Sequence, residues 1–109
     1  MISWEDFENV ELRIGTIIEV NEFPEARRPA YKLKVDFGPE VGIRKSSAQI
    51  TDLYDPETLL GKQVLVTNFP PKQIGKFMSE CLVTGIKNDE GAITLVSTDH
   101  KVSNGQRLI

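Results

Sequence analysis

Apolar and polar side chains alternate from Val10 to Asn21. Val10, Leu12, Ile14, Ile18 and Val20 share one parity, and Glu11, Arg13, Glu19 and Asn21 share the other. A period of two sustained this long predicts a half-buried strand. Gly15 in its middle predicts a bend or bulge, which a strand shared between two sides of a small barrel needs. Ahead of it, Ser3-Trp4-Glu5-Asp6 sets an acid three residues after a serine. This capping-box pattern predicts a short helix over about Trp4–Asn9, with Trp4 and Phe7 on one face.

Pro24 and Pro29 bracket a loop containing Glu25-Ala26-Arg27-Arg28. Tyr31, Leu33, Val35 and Phe37 then alternate with Lys32 and Lys34, a second strand. The turn Gly38-Pro39-Glu40 leads to a third strand over Val41–Ser47, and Ile50–Leu60 reads as a helical turn or loop. A fourth strand covers Gln63–Thr67. Asn68-Phe69-Pro70-Pro71 is expected to break it, because proline has no N–H to give a central ladder. Phe77–Ile86 predicts a fifth strand and Ala92–Ser97 a sixth, with Val102–Ile109 a tail turning at Asn104-Gly105. Short strands, one of them long and bent, predict an all-β OB-fold: a closed five-stranded Greek-key barrel with a short N-terminal helix and extra C-terminal strands. The barrel itself needs only about residues 10–87.

The 109 residues fit one domain, 1–109, whose core is thin enough that a dimer contact would add useful burial. No apolar run approaches the ~20 residues of a membrane span, and the acidic N-terminus lacks the basic and apolar regions of a signal peptide. One cysteine, Cys81, has no internal disulfide partner, so the reducing cytoplasm is the expected compartment. The net charge of −3 argues against nucleic acid until its distribution is followed. Residues 1–25 carry seven acids and one base, residues 26–80 nine bases and six acids, and residues 81–109 three of each. A basic patch in the middle of the chain can bind phosphate on an acidic protein, although a solvated surface explains the same asymmetry.

Catalysis is poorly supplied. His100 and Cys81 are each the only residue of their type, and Cys81 sits in the apolar run Cys81-Leu82-Val83, where a thiol usually packs. The two together are too few for a structural zinc site, so no metal or cofactor is expected. The binding constellation is richer. Arg27, Arg28, Lys32 and Lys34 cluster on a loop and one strand face. Arg44 and Lys45 lie beside Ser46 and Ser47, and Lys72 and Lys76 flank the Pro-Pro segment with Asn68 before and Ser79 after. Lysine and arginine supply counterion-release affinity, while hydroxyls and amides reach phosphates, 2′-hydroxyls and base edges. The plainer reading of Lys32 and Lys34 is a solvated strand face, and of Asn68 a turn residue. Phe69 and Phe77 read as core or dimer contacts ahead of stacking platforms.

Three stretches together carry a resemblance: Glu11-Leu12-Arg13-Ile14-Gly15-Thr16-Ile17, Arg44-Lys45-Ser46-Ser47-Ala48-Gln49-Ile50, and Asn68 through Glu80. In order and spacing they resemble the tRNA-binding domain found at the ends of some aminoacyl-tRNA synthetases and in free-standing proteins. Phe23-Pro24-Glu25-Ala26-Arg27 and the Pro-Pro segment are similar to its CsaA-type subgroup, small homodimers described as secretion chaperones. The resemblance implies an OB fold, a dimer built partly by the terminal additions, and tRNA binding by shape. It nominates Lys45, Ser46, Ser47, Asn68 and Ser79 for the RNA face. Gln73, Ile74, Gly75 and Lys76 depart from the family's Lys-Met-basic-Gly, and Lys72 and Lys76 restore charge one position away. The chaperone subgroup implies the alternative of a peptide-binding protein related to export, with Phe69, Ile74 or Phe77 in an apolar groove.

Overall fold

The computed structural model describes residues 1–109 in backbone and all side chains but that of Phe69. In chain order the elements are α1 (Trp4–Asn9), β1 (Leu12–Glu22), β2 (Tyr31–Asp36), β3 (Ile43–Ala48), α2 (Pro56–Leu59), β4 (Gln63–Ile74), β5 (Phe77–Val83), β6 (Gly85–Lys87) and β7 (Ile93–Leu95). The first five strands form one antiparallel sheet in the order β3-β2-β1-β4-β5, and β6 and β7 pair separately. Among the described residues, no helix is long and apolar enough to cross a membrane.

The backbone ladder does not close the five-stranded OB-type sheet into a full ring. Its edge strands, β3 and β5, lie side by side and are stitched by side chains. Ser46 Oγ donates to the Cys81 carbonyl at 2.9 Å, the Lys45 N–H to Glu80 Oε1 at 2.9 Å, and the Ser47 N–H to Ser79 Oγ at 3.2 Å. Edge donors that would otherwise face water thus find partners without a strand ladder.

The helix at Trp4–Asn9 forms with its capping box: Ser3 Oγ accepts from the Asp6 N–H, and the Asp6 carboxylate accepts from the Ser3 N–H. β1 is a strand, but its inward residues are not those of the simple alternation. Gly15 and Ile17 face the core, and a Cβ on Gly15 would meet Val35 Cγ1 at 2.5 Å. Ile14 faces outward, where the C-terminal segment covers it. The Ile14 N–H donates to the Gln106 carbonyl, and the Gly105 N–H donates back to the Ile14 carbonyl. A bulge between Ile17 and Glu19 then shifts the parity, so that Ile18 is exposed and Val20 packs on the core. Ile18 therefore does not share the inner face with Val20, contrary to the sequence expectation.

Proline does not end the fourth strand. β4 continues to Ile74, and the ladder shifts between Asn68↔Cys81 and Lys72↔Ser79. Three residues of β4 there span one residue of β5, Glu80, so Pro70 and Pro71 sit where regular pairing is suspended. The hairpin turns at Gly75, whose φ of +61° at the first central position, followed by a non-glycine of negative φ, matches a type II′ turn. The third strand starts at Ile43, two residues after Val41, because Gly42 at φ +84° belongs to the preceding turn. The expected fifth strand divides at Thr84, whose N–H and hydroxyl both donate to the Leu65 carbonyl. The sixth is confined to Ile93–Leu95, with Ser97 bridging to Val64.

The core gathers Ile17, Leu33, Val35, Leu59 and Val64, each fully buried, with Phe37 and Val66 around them. α2, N-capped by Asp55, delivers Leu59 to it. In contrast, five of α1's six residues are exposed, Phe7 is half-buried, and Trp4 is 68% exposed.

Candidate nucleic-acid interface

The β1–β2 hairpin sets the site. Its closing pair is Glu22↔Tyr31, so counting inward aligns Asn21 with Lys32 and Glu19 with Lys34. The β2–β3 register then aligns Lys32 with Ser47 and Lys34 with Lys45. Lys32, Lys34, Lys45 and Ser47 therefore share one outer face. Two lysines directly opposite each other repel, which leaves this face suited to an anion. Glu19 partly offsets it, with Oε2 at 3.5 Å from Lys34 Nζ and accepting from Asn21 Nδ2 at 3.3 Å.

The β4–β5 hairpin brings Phe77 to the same place. Lys32 Nζ lies 6.0 Å and Lys45 Nζ 5.5 Å from the Phe77 ring centroid, and Lys32 Nζ lies 5.3 Å from that of Phe23. Phe23, buried, meets Phe77 edge to face with centroids 5.4 Å apart. Phe77 is half-buried and borders a shallow hollow of about 140 Å³ with Glu19, Asn21, Lys32, Lys34 and Lys45. Arg27 and Arg28 are exposed on the loop that closes at the Phe23 N–H to Ala30 carbonyl bond, so that loop springs from the same corner. Lys72 and Lys76 are exposed on the hairpin, across from Ser79 and at the turn respectively.

Other nominated residues are placed differently. Ser46 is fully buried with its hydroxyl given to the Cys81 carbonyl, so it serves the β3–β5 seam and presents nothing to a surface ligand. Ser79 is half-buried and accepts from the Ser47 N–H in that seam. Arg44 aligns with buried Val35, on the opposite parity from Lys45, and is exposed. Asn68 is exposed on the β1–β4 side. It contributes, after the stronger hydrogen bond from Arg13, to holding the Glu11 carboxyl below its usual pKa. Ile74 is half-buried and aligned with Phe77, whereas Phe69 lies outside the described residues. Burial, the largest influence, pushes the Cys81 thiol up to about 11, and Sγ faces the Lys45 carbonyl at 3.6 Å. His100 is exposed on the C-terminal segment.

Sequence reasoning missed Glu19, Asn21 and Phe23 as parts of this face. The signal was available: counting back from the loop's closing pair sets both polar residues beside Lys34 and Lys32. A larger open cleft of about 880 Å³ lies elsewhere, between β1 and residues 97–104. Its polar groups are bonded to one another: Thr16 Oγ1 donates to Asn104 Oδ1 at 2.6 Å, and Gln63 Nε2 donates to the Val102 carbonyl at 2.7 Å. They fasten the C-terminal segment to the barrel.

Known proteins agree with this architecture. The tRNA binding domain family matches residues 12–107. The chain is 36% identical over 108 residues to the methionine–tRNA ligase of Thermococcus kodakarensis and 37% over 108 residues to that of Bdellovibrio bacteriovorus. Each alignment covers 98% of this chain but only 14% and 15% of those enzymes, so the likeness is confined to one part of them. Among solved structures, the chaperone CsaA of Bacillus anthracis superposes with a TM-score of 0.91 at 44% identity, covering 100% of this chain and 99% of that one. The CsaA chaperone protein of Picrophilus torridus superposes at 0.92 with 43% identity, covering 100% of both chains. The chain belongs to the tRNA-binding-domain family.

Proposed function

We propose that this protein is a homodimeric tRNA-binding module, not an enzyme, that recognises tRNA by shape and phosphate contacts. The face carrying Lys32, Lys34 and Lys45 and the hairpin carrying Lys72 and Lys76 would act together. The observation that supports this most is the convergence of Lys32 and Lys45 on Phe77, which sets separate basic stretches of sequence around one point. With about five phosphates engaged, log affinity should fall with log salt at a slope of about −4. Anisotropy of labelled bulk tRNA across a salt series tests this. Lys32→Glu and Lys45→Glu should each weaken binding at least tenfold, and a wild-type protein that forms no salt-sensitive complex at micromolar concentration would end the proposal.

Dimerisation is supported by unpartnered apolar surface. Trp4 and Val10 are exposed at α1, Ile109 is fully exposed, and Leu65, Val96 and Leu108 line an apolar hollow of about 250 Å³. Pairing through these parts would present two basic faces to one RNA. Sedimentation of wild type against Trp4→Glu reads it: the variant should be monomeric, and an unchanged mass would remove α1 from the interface.

The likeness to two chaperones over the full chain favours a second reading, a peptide-binding chaperone related to export that uses Ile74 and Phe77. Competition separates the two. Lys45→Glu should weaken tRNA binding at least tenfold but spare capture of an unfolded apolar client.

A further inference from the structure

We infer that the hollow beside Phe77 accepts one unpaired nucleobase, stacked on that ring, and that Glu19 and Asn21 favour a base carrying an exocyclic amino group. This rests on the RNA-binding proposal and specifies which part of an RNA the basic face takes.

The chemistry of the hollow is selective. Phosphate alone needs cations and no aromatic wall. An apolar peptide side chain would gain the wall but meet three ammonium groups and a carboxylate. A nucleotide matches both halves, with a π-face for the phenyl ring and an adjacent anion for the ammoniums. Phe77 is oriented for this because buried Phe23 holds it edge to face at 5.4 Å, an interplanar angle of 62°. Lys32 and Lys45 lie at the outer limit of a cation–π contact, 6.0 and 5.5 Å from the Phe77 centroid, so an incoming base displaces little. The displaced ammoniums then lie beside the sugar-phosphate of the same nucleotide. The volume of about 140 Å³ has room for one base against the ring, and only an unpaired base can lay its face there, which directs the site to a loop or a free end.

At the rim stand Glu19 and Asn21, which the hairpin register fixes beside Lys34 and Lys32. Their mutual hydrogen bond is long, 3.3 Å, and Glu19 lies 3.5 Å from Lys34 Nζ, so both side chains can exchange partners. A carboxylate accepts from an amino group, as on cytosine or adenine, and repels the carbonyl edge of uracil. The amide of Asn21 can donate and accept beside it.

The test uses the full chain and small probes. Backbone amide shifts are followed while cytidine, adenosine and uridine 5′-monophosphates and ribose 5-phosphate are added. Cytidine and adenosine nucleotides should shift residues around 19–21, 32–34, 45 and 77. Uridine monophosphate should bind about tenfold more weakly, and ribose phosphate more weakly still. Glu19→Gln, on an exposed side chain, should erase the preference over uridine. Phe77→Leu should erase the advantage over ribose phosphate and weaken tRNA about tenfold without altering the salt slope. Lys45→Gln should instead lower that slope by about one. If all four probes bind alike while tRNA binding and its salt slope are normal, the base site is overturned and the RNA-binding proposal stands. Nucleotide discrimination without any tRNA binding would do the reverse. Should Phe77→Leu destabilise the hairpin, Glu19→Gln on the wild-type fold still decides the point.

Discussion

Ser46→Ala separates structure from binding at the most informative position. The Ser46 hydroxyl is fully buried and donates to the Cys81 carbonyl at 2.9 Å. Removing it leaves a buried carbonyl short of a donor, for which Ser79 Oγ at 3.5 Å is a poor substitute. An unmatched buried acceptor costs about 1–2 kcal/mol. At about 4–8 °C per kcal/mol for a domain near this size, the melting temperature should fall by about 5–15 °C. Calorimetric melting of wild type and variant measures that, and tRNA anisotropy on the same samples should show unchanged affinity. A shift under about 2 °C would mean that apolar packing holds β3 to β5 without this bond. Lost tRNA affinity at an unchanged melting temperature would mean that Ser46 serves the ligand after all.

Three further tests address other parts of the fold. Gly15→Ala pushes a methyl to within 2.5 Å of Val35 Cγ1 and 2.8 Å of Phe37 Cε1, and should cost about 1–3 kcal/mol in urea unfolding. Combined with Val35→Ala the two losses should fall short of their sum, and strict additivity would show that Gly15 does not face Val35. The Cys81 thiol, raised to about 11 from an ordinary 9.0, loses its proton less readily folded than unfolded. Stability should therefore be undiminished below pH 9 and fall between pH 9 and 11, a slope that Cys81→Ala should remove. Disulfide reagents should label Cys81 at pH 8 only on unfolding. Arg13→Ala removes the bond from Arg13 Nη1 to the Gly105 carbonyl at 2.7 Å. Amide exchange at Gly105 and Leu108 should then quicken by about fivefold, with Leu33 unaffected, and equal protection in both proteins would dismiss Arg13 as the tether.

The alternations of β1 and β2 are local, and so are the capping box at Ser3 and the turn glycines; each could be read from neighbouring residues. The inward set of β1 was not, because Ile14 is buried by residues more than ninety positions away in the chain and the bulge at Ile18 leaves no separate mark. The β3–β5 seam was likewise invisible. A serine that closes a barrel and a serine that meets a ligand look the same until Cys81 is seen opposite it. The lysines were legible as a charge excess, but their convergence on Phe77 depends on how the hairpin folds across β2 and β3. Pro70 and Pro71 misled for a physical reason: proline forbids a regular ladder, and the strand passes through them where the ladder skips.

The two prolines carry a consequence for solubility. Beyond Thr67, β4 is no longer paired with β1 and keeps only β5 as a ladder partner, so one backbone margin of the hairpin has no strand beside it in the ladder. A bare margin of a long strand recruits strands from other molecules. Two successive residues without amide hydrogens interrupt it there, and Lys72 adds a charge just beyond. Swapping both prolines for alanine would hand a crowded cell a ready template for intermolecular sheet growth.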